Sequence, residues 1–224
     1  YQIQMAYTWS HTLGYGGDDS GDGTSVDIPW MYNLNYGNSP QDQLYNFQFT
    51  FMGELPFGKG KRWMQEGLGG AVLGGWQFNT LVSRYGGDAR SVGADGDDLD
   101  APGSGQRADC LSKPIYLGDR DQWYDISTFA QPEGARFGTC GPRILRGPGL
   151  FNTDFGLFRK FQVTEGLSVQ FRAEMFNAFN TPHFFRFRDN VNNSNFMQLR
   201  NSIRNTGRDG IDERRVRFGI RIGW

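Results

Sequence analysis

Few residues in this 224-residue chain have the type and spacing that chemistry requires. The two histidines, His11 and His183, lie far apart, and neither has a second His, a Cys or a carboxylate at a ligand spacing such as His-x-x-x-His. Ser10 and His11 are merely adjacent, and no Gly-x-Ser-x-Gly elbow presents a nucleophile. No catalytic residue, no metal site and no cofactor is therefore expected, and the chain reads as a non-enzyme. Asp18-Asp19-Ser20-Gly21-Asp22-Gly23 opens like a calcium loop, but Pro29 stands where the bidentate Glu of the twelfth position belongs. Asp95-Gly96-Asp97-Asp98-Leu99-Asp100 is less regular still. Solvated loops are the expectation for both, with weak Ca²⁺ bridging at the surface as the alternative. Cys110 and Cys140 are an even pair. In an oxidising compartment they are expected to form a disulfide, rather than stay free or ligate a metal. A bridge closing a loop of about 30 residues is worth ~3–4 kcal/mol in chain-entropy terms.

The remaining candidates are cationic, and the elements that carry them decide their meaning. From Glu213 to Trp224 the chain alternates: Val216, Phe218, Ile220, Ile222 and Trp224 fall on one face, and Arg215, Arg217, Gly219, Arg221 and Gly223 on the other. A soluble edge strand shows the same alternation, but this one is long enough to cross a bilayer at a tilt, and its apolar face is unbroken. Five further segments alternate, at about Tyr1–Ser10, Leu44–Glu54, Ala71–Tyr85, Asn152–Gln162 and Leu167–Phe179. Phe158 breaks the pattern of the fourth. In the fifth, Leu167, Val169, Phe171, Ala173 and Met175 recur at strict i+2, which argues against a helix. A lone charge facing lipid costs ~2–4 kcal/mol at mid-depth. Arg172, Glu174, Arg215, Arg217 and Arg221 are therefore expected to face a water-filled lumen. There they line water and contact whatever fills it; in a sharper reading they form a path for an anionic substrate. Arg188, Arg200, Arg204 and Arg208, in the loop Arg186–Arg208, lack the regular basic-aromatic stripe of a nucleic-acid platform.

Composition agrees with an all-β chain. Aromatics reach 15 %, including 19 Phe, beside 32 Gly, which suits strands joined by long loops and disfavours global disorder. The net charge of −1 gives no global field toward nucleic acid or anionic lipid. No apolar run approaches the roughly 20 residues of a membrane helix, whereas barrel strands hide their apolar half in alternation. The chain opens without Met, inside an alternating segment, and so reads as a piece of a longer protein.

The connections between the six segments run about 33, 16, 66, 4 and 33 residues, longer and shorter in turn. Membrane barrels place short turns on the periplasmic side and long loops outside, while soluble meanders keep most connections short. With the C-terminus periplasmic, Thr12–Gln43, Gly86–Phe151 and Asn180–Asp212 are external, and Leu55–Gly70 and Val163–Gly166 internal. The internal turn Leu55–Gly70 carries Lys59, Lys61 and Arg62 beside Trp63, a composition that suits either a membrane boundary or a solvated basic loop. Six strands are too few to close around a lumen, so further strands are expected to pair with these.

Several motifs together resemble the C-terminal barrel portion of Oar-like TonB-dependent outer-membrane receptors, the large kind with an N-terminal carboxypeptidase-regulatory-like domain. They are Tyr7-Thr8-Trp9-Ser10, the run Glu54 to Trp63, Leu73-Gly74-Gly75-Trp76-Gln77, Leu145-Arg146-Gly147-Pro148-Gly149, Asn152-Thr153-Asp154, the run Val169 to Pro182, and Arg217 to Trp224. The resemblance spans nearly the whole chain, in order; no single motif is diagnostic. It implies an antiparallel transmembrane β-barrel of about 22 strands around an internal plug. Residues 1–224 would then be the last six strands with long external loops, without the plug and N-terminal domains. It further implies uptake of a bulky, unidentified substrate, driven through the TonB complex by a coupling box outside this sequence, in the outer membrane of a Gram-negative-type bacterium. The partners it implies are outer-membrane lipid and the barrel-assembly machinery. The machinery would read the terminal strand, with Phe218, Ile220, Ile222 and Trp224, although such proteins more often end in Phe. The rival reading is a soluble extracellular all-β module that binds a ligand or glycan on its aromatic loops.

Overall fold

The computed structural model describes residues 1–15, 28–101, 104–184, 186–200 and 213–224. Six strands, β1 (Gln2–Trp9), β2 (Tyr45–Glu54), β3 (Trp76–Tyr85), β4 (Leu150–Gln162), β5 (Ser168–Phe176) and β6 (Arg215–Gly223), build one antiparallel sheet whose spatial order follows the chain. The pairing keeps each two-residue alternation in phase with the next. Phe78 lies opposite Leu157, Leu157 opposite Ala173, and Ala173 opposite Phe218. The outcome is a sheet with one apolar and one polar face, as the alternation requires once register is set. The sheet is open: among the described residues, β1 pairs only with β2 and β6 only with β5.

Most strand ends fall within two residues of the expected ones; two boundaries differ by more. The third strand was expected from Ala71, but Gly67–Leu73 forms a short helix, α1, and β3 starts at Trp76. Gly75 at φ +73° makes the corner between them. The approach is tight, because a Cβ on Gly58 would meet the Gly74 Cα at 2.5 Å. The fifth strand was expected to reach Phe179 but stops at Phe176. Asn177 turns to φ +45°, and its amide side chain accepts from the Thr181 N–H and donates to the Thr181 carbonyl. That Asx-type turn competes with the strand ladder and wins.

The buried core is not on the sheet. It lies in the long connections at one end, where Val92, Ala108, Tyr124, Phe129, Cys140, Leu145, Phe187, Met197 and Leu199 pack together. Gly93 donates to the Asp189 carbonyl and accepts from the Val191 N–H, Trp123 donates to the Met197 carbonyl, and Leu199 to that of Arg120. The stretch between β1 and β2 is tied in by side chains: Arg107 donates to the Leu34 carbonyl, Arg143 to that of Asn38, and Arg146 pairs with Asp42. Three loops thus form one interlocked crown. At the opposite end are α1 with its turn, Leu55–Gly75, and the tight turn Val163–Leu167. Among the described residues no helix is long and apolar enough to cross a membrane.

Candidate functional site

The apolar face comprises Ile3, Met5, Tyr7 and Trp9 of β1, and Tyr45, Phe47, Phe49 and Phe51 of β2. It continues through Phe78 and Val82, Phe155 and Leu157, Phe171 and Met175, and Val216, Phe218, Ile220 and Ile222. No described residue covers it: Phe218 and Ile220 are 71 % and 72 % exposed, and Trp9 70 %. Rings run diagonally across it, Tyr1 to Phe51 to Phe78 to Phe155 to Phe179. An exposed apolar area of this extent, on every strand, has no place in water. Two cations share this face and sit at its two ends. Arg84 lies toward the crown, between Phe47 and Phe151 in register; Arg159 lies at the other end, beside Trp76.

The polar face carries the predicted arginines. Arg172, Glu174, Arg215, Arg217 and Arg221 all stand on it, with Glu174 opposite Arg217 and Arg172 opposite Gly219. Lys160 of β4 lies opposite Gln170, which lies opposite Arg221, so every same-face row from Phe176–Arg215 down to Lys160 holds a cation. Rows on one face are about 6.8 Å apart. The rows form a cationic track along β4 to β6, while the same face of β1 to β3 is mostly Gln, Asn, Thr and Ser, interrupted by Met52, Glu54, Leu81 and Tyr85. Phe158, the break in the fourth segment, lies on this face with the Arg172 guanidinium 5.5 Å from its ring centroid, and Arg217 sits 5.0 Å from that of Phe176. Aliphatic stems and flat guanidiniums lying on rings keep these cations ordered on a wetted wall.

The crown is pinned by ion pairs on two buried carboxylates, which the sequence alone does not single out. Asp42 is buried, which works against its charge, but the Arg146 guanidinium, the Thr12 N–H and the nearby positive charge outweigh this and hold its carboxyl below the ordinary range. Asp109 is lowered by Arg136, whose guanidinium donates to it, against its burial and with help from Thr139. Cys110 and Cys140 are joined, with Cα atoms 4.9 Å apart, against this core. Two recesses open where crown meets sheet. One, of about 390 Å³, is on the polar-face side and is lined by Asp42, Asp88, Tyr85 and His183 among others. The other, of about 440 Å³, is lined by Tyr45, Arg84, Tyr116, Trp123, Tyr124 and Arg146 among others. Burial and the neighbouring Tyr45 phenol push the Tyr116 hydroxyl above its ordinary pKa.

The other candidates that the structure describes make hydrogen bonds within the chain. His11 Nε2 is 2.8 Å from Asn38 Oδ1, and buried His183 holds the Phe151 carbonyl at 2.8 Å. Asp95 is wired into the crown: its N–H donates to Gln131 and Asn192, and its carboxylate accepts from Asn190. The acidic run from Asp18 to Gly23, and Arg204 and Arg208, lie outside the described residues. Among the described residues no three His, Cys, Asp or Glu groups gather as a metal site. Arg84 and Arg159 were readable in principle, since each keeps the phase of an apolar face; the signal is a charge at the end of an otherwise greasy row.

The family described as "Outer membrane beta barrel domain" matches residues 1–217. No curated protein and no solved structure matches the chain.

Proposed function

The chain belongs to the outer membrane beta barrel family, and from that premise we propose that it is wall and crown of a TonB-dependent receptor that imports a bulky substrate. It is an antiparallel transmembrane β-barrel segment of the outer membrane of a Gram-negative-type bacterium, with lipid against the apolar face. The polar face then meets the lumen, and Arg172, Glu174, Arg215, Arg217 and Arg221 line it. The open edges of β1 and β6 cannot stay unpaired in hydrocarbon, where each orphan backbone group costs several kcal/mol, so further strands complete the barrel.

The observation that carries the receptor reading is the crown. A porin needs an open mouth; here three loops share a core and a disulfide above the sheet. Loops ordered by a shared core and a disulfide suit capture of a specific ligand before energised passage. On this reading the protein binds and passes its cargo with no bond chemistry of its own. Its terminal strand, with Phe218, Ile220, Ile222 and Trp224, offers the assembly machinery an aromatic-ended apolar face. The soluble-module alternative is disfavoured by the family match and by the apolar face, over which the described residues place no second layer.

The test uses the full-length parent. Planar-bilayer recording is expected to show almost no conductance until denaturant displaces the plug. Site-specific cross-linking in cells is expected to join its N-terminal region to TonB. Large open-state conductance with no TonB adduct overturns the receptor reading and leaves an ungated pore.

A further inference from the structure

The two cations on the lipid-facing side are treated differently by the protein. Arg159 donates to the Ala71 and Val72 carbonyls at the end of α1 and lies over the rings of Trp76 and Phe161, 5.6 and 4.5 Å from their centroids. Those donors have protein acceptors. Arg84 is exposed, and among the described residues its guanidinium meets the Tyr45 ring, 5.7 Å from the centroid. No carboxylate reaches it among those residues. A guanidinium offers five donors in a planar fork that fits phosphate, and ring stacking uses none of them.

Its depth says what meets it. Arg84 pairs with Phe151, eight residues before Arg159 on the same strand. That is about 27 Å along the strand, or about 20 Å of depth at a 40° tilt. The apolar band of such barrels is about 25 Å tall, so a side chain stretching outward from this row ends at headgroup level. Phe47 and Phe151 flank it in the same row, and Phe49 and Val82 lie in the row below on the same face, together a surface for acyl chain. Above it the crown supplies the 440 Å³ recess with the Tyr116 and Tyr45 hydroxyls. Arg146, the other cation lining that recess, is held by Asp42.

We propose that Arg84, with Tyr45 and Tyr116, forms a site for the phosphate of an anionic lipid in the outer leaflet, whose acyl chain lies on Phe47 and Phe151. The geometry favours a lipid over free phosphate because the cation stands at the top of an apolar slope rather than in a polar cup. The site goes beyond the transport reading and does not depend on TonB coupling.

The test is a titration of the delipidated full-length protein in detergent, read by calorimetry. The probes are a short-chain phosphatidic acid, a phosphatidylcholine of the same chains, and inorganic phosphate. Phosphatidic acid is expected to saturate one site, with the choline lipid and inorganic phosphate about tenfold weaker or worse. R84Q is expected to lose about tenfold and R159Q to match wild type. A heat-modifiable gel shift confirms that each variant is folded. Where R84Q does not fold, R84K keeps the charge and loses the fork, and is expected to weaken binding several-fold. Wild-type affinity in folded R84Q or R84K, or equal binding of the choline lipid, overturns the proposal. Inorganic phosphate binding as tightly as the lipid also overturns it.

Discussion

Asp42 shows how much a single side chain holds in the crown. It is buried, and it accepts from the Arg146 guanidinium and, at 2.6 Å, from the Thr12 N–H. Asp42→Asn removes the charge that Arg146 answers and is expected to cost the crown about 2–3 kcal/mol, read as cleavage of the external loops by trypsin at lower urea. The same pairs set a pH dependence. Asp42 and Asp109 have depressed pKa values, so their contribution is present above the unfolded carboxylate pKa of ~3.9 and is lost as pH falls through the folded value. Loop protection is expected to be flat from neutral pH to about 5 and to decline below about 4; a decline already between 7 and 6 counts against this assignment. Neither aspartate was legible in the sequence, because their partners are 104 and 27 residues away. The cysteines were legible, since an even pair in an oxidising exterior has few alternatives. Replacing both with serine is expected to cost the crown ~3–4 kcal/mol, measured by the same protease assay.

At the scale of the element, β6 separates its two faces cleanly. Ile220 is 72 % exposed on the apolar face, and Arg221 is its neighbour on the polar one. Ile220→Arg puts a guanidinium into hydrocarbon and is expected to cost up to about 2–4 kcal/mol, seen as loss of the folded, heat-modifiable species from membranes. Arg221→Gln keeps a polar group facing water and is expected to leave that species within about 0.5 kcal/mol of wild type. Equal damage from both substitutions refutes the two-faced assignment. The strands were legible because lipid and water impose opposite demands on alternate residues. Their ends were not, since local chemistry set them: the Asn177 turn stops β5, and the glycines before Trp76 give α1 its corner.

At the scale of the whole molecule, the crown has a core of its own beside the sheet. The sheet holds itself by backbone pairing and lipid, the crown by its own core. Phe187 comes from the loop between β5 and β6, yet it is 1 % exposed and packs on Tyr124 of the loop between β3 and β4. Phe187→Ala is expected to cost the crown about 3–5 kcal/mol and to open both loops to protease together. The heat-modifiable shift of the barrel should persist. Opening of only the loop that carries residue 187 is the result that removes the shared core.

What the residues determined alone is the class: period-two alternation on six segments, long and shorter connections in turn, and no constellation for catalysis. A bilayer acts on each strand locally, so its imprint is written in consecutive residues. What only the tertiary structure decided is everything that joins residues far apart in the chain. The loops expected to be solvent-facing connections close into a crown because Val92, Phe187 and Met197 find one another across about a hundred residues. Register then brings Arg84 and Arg159 to opposite ends of one greasy face. No periodicity records either event, since packing and register depend on partners that neighbouring residues do not encode.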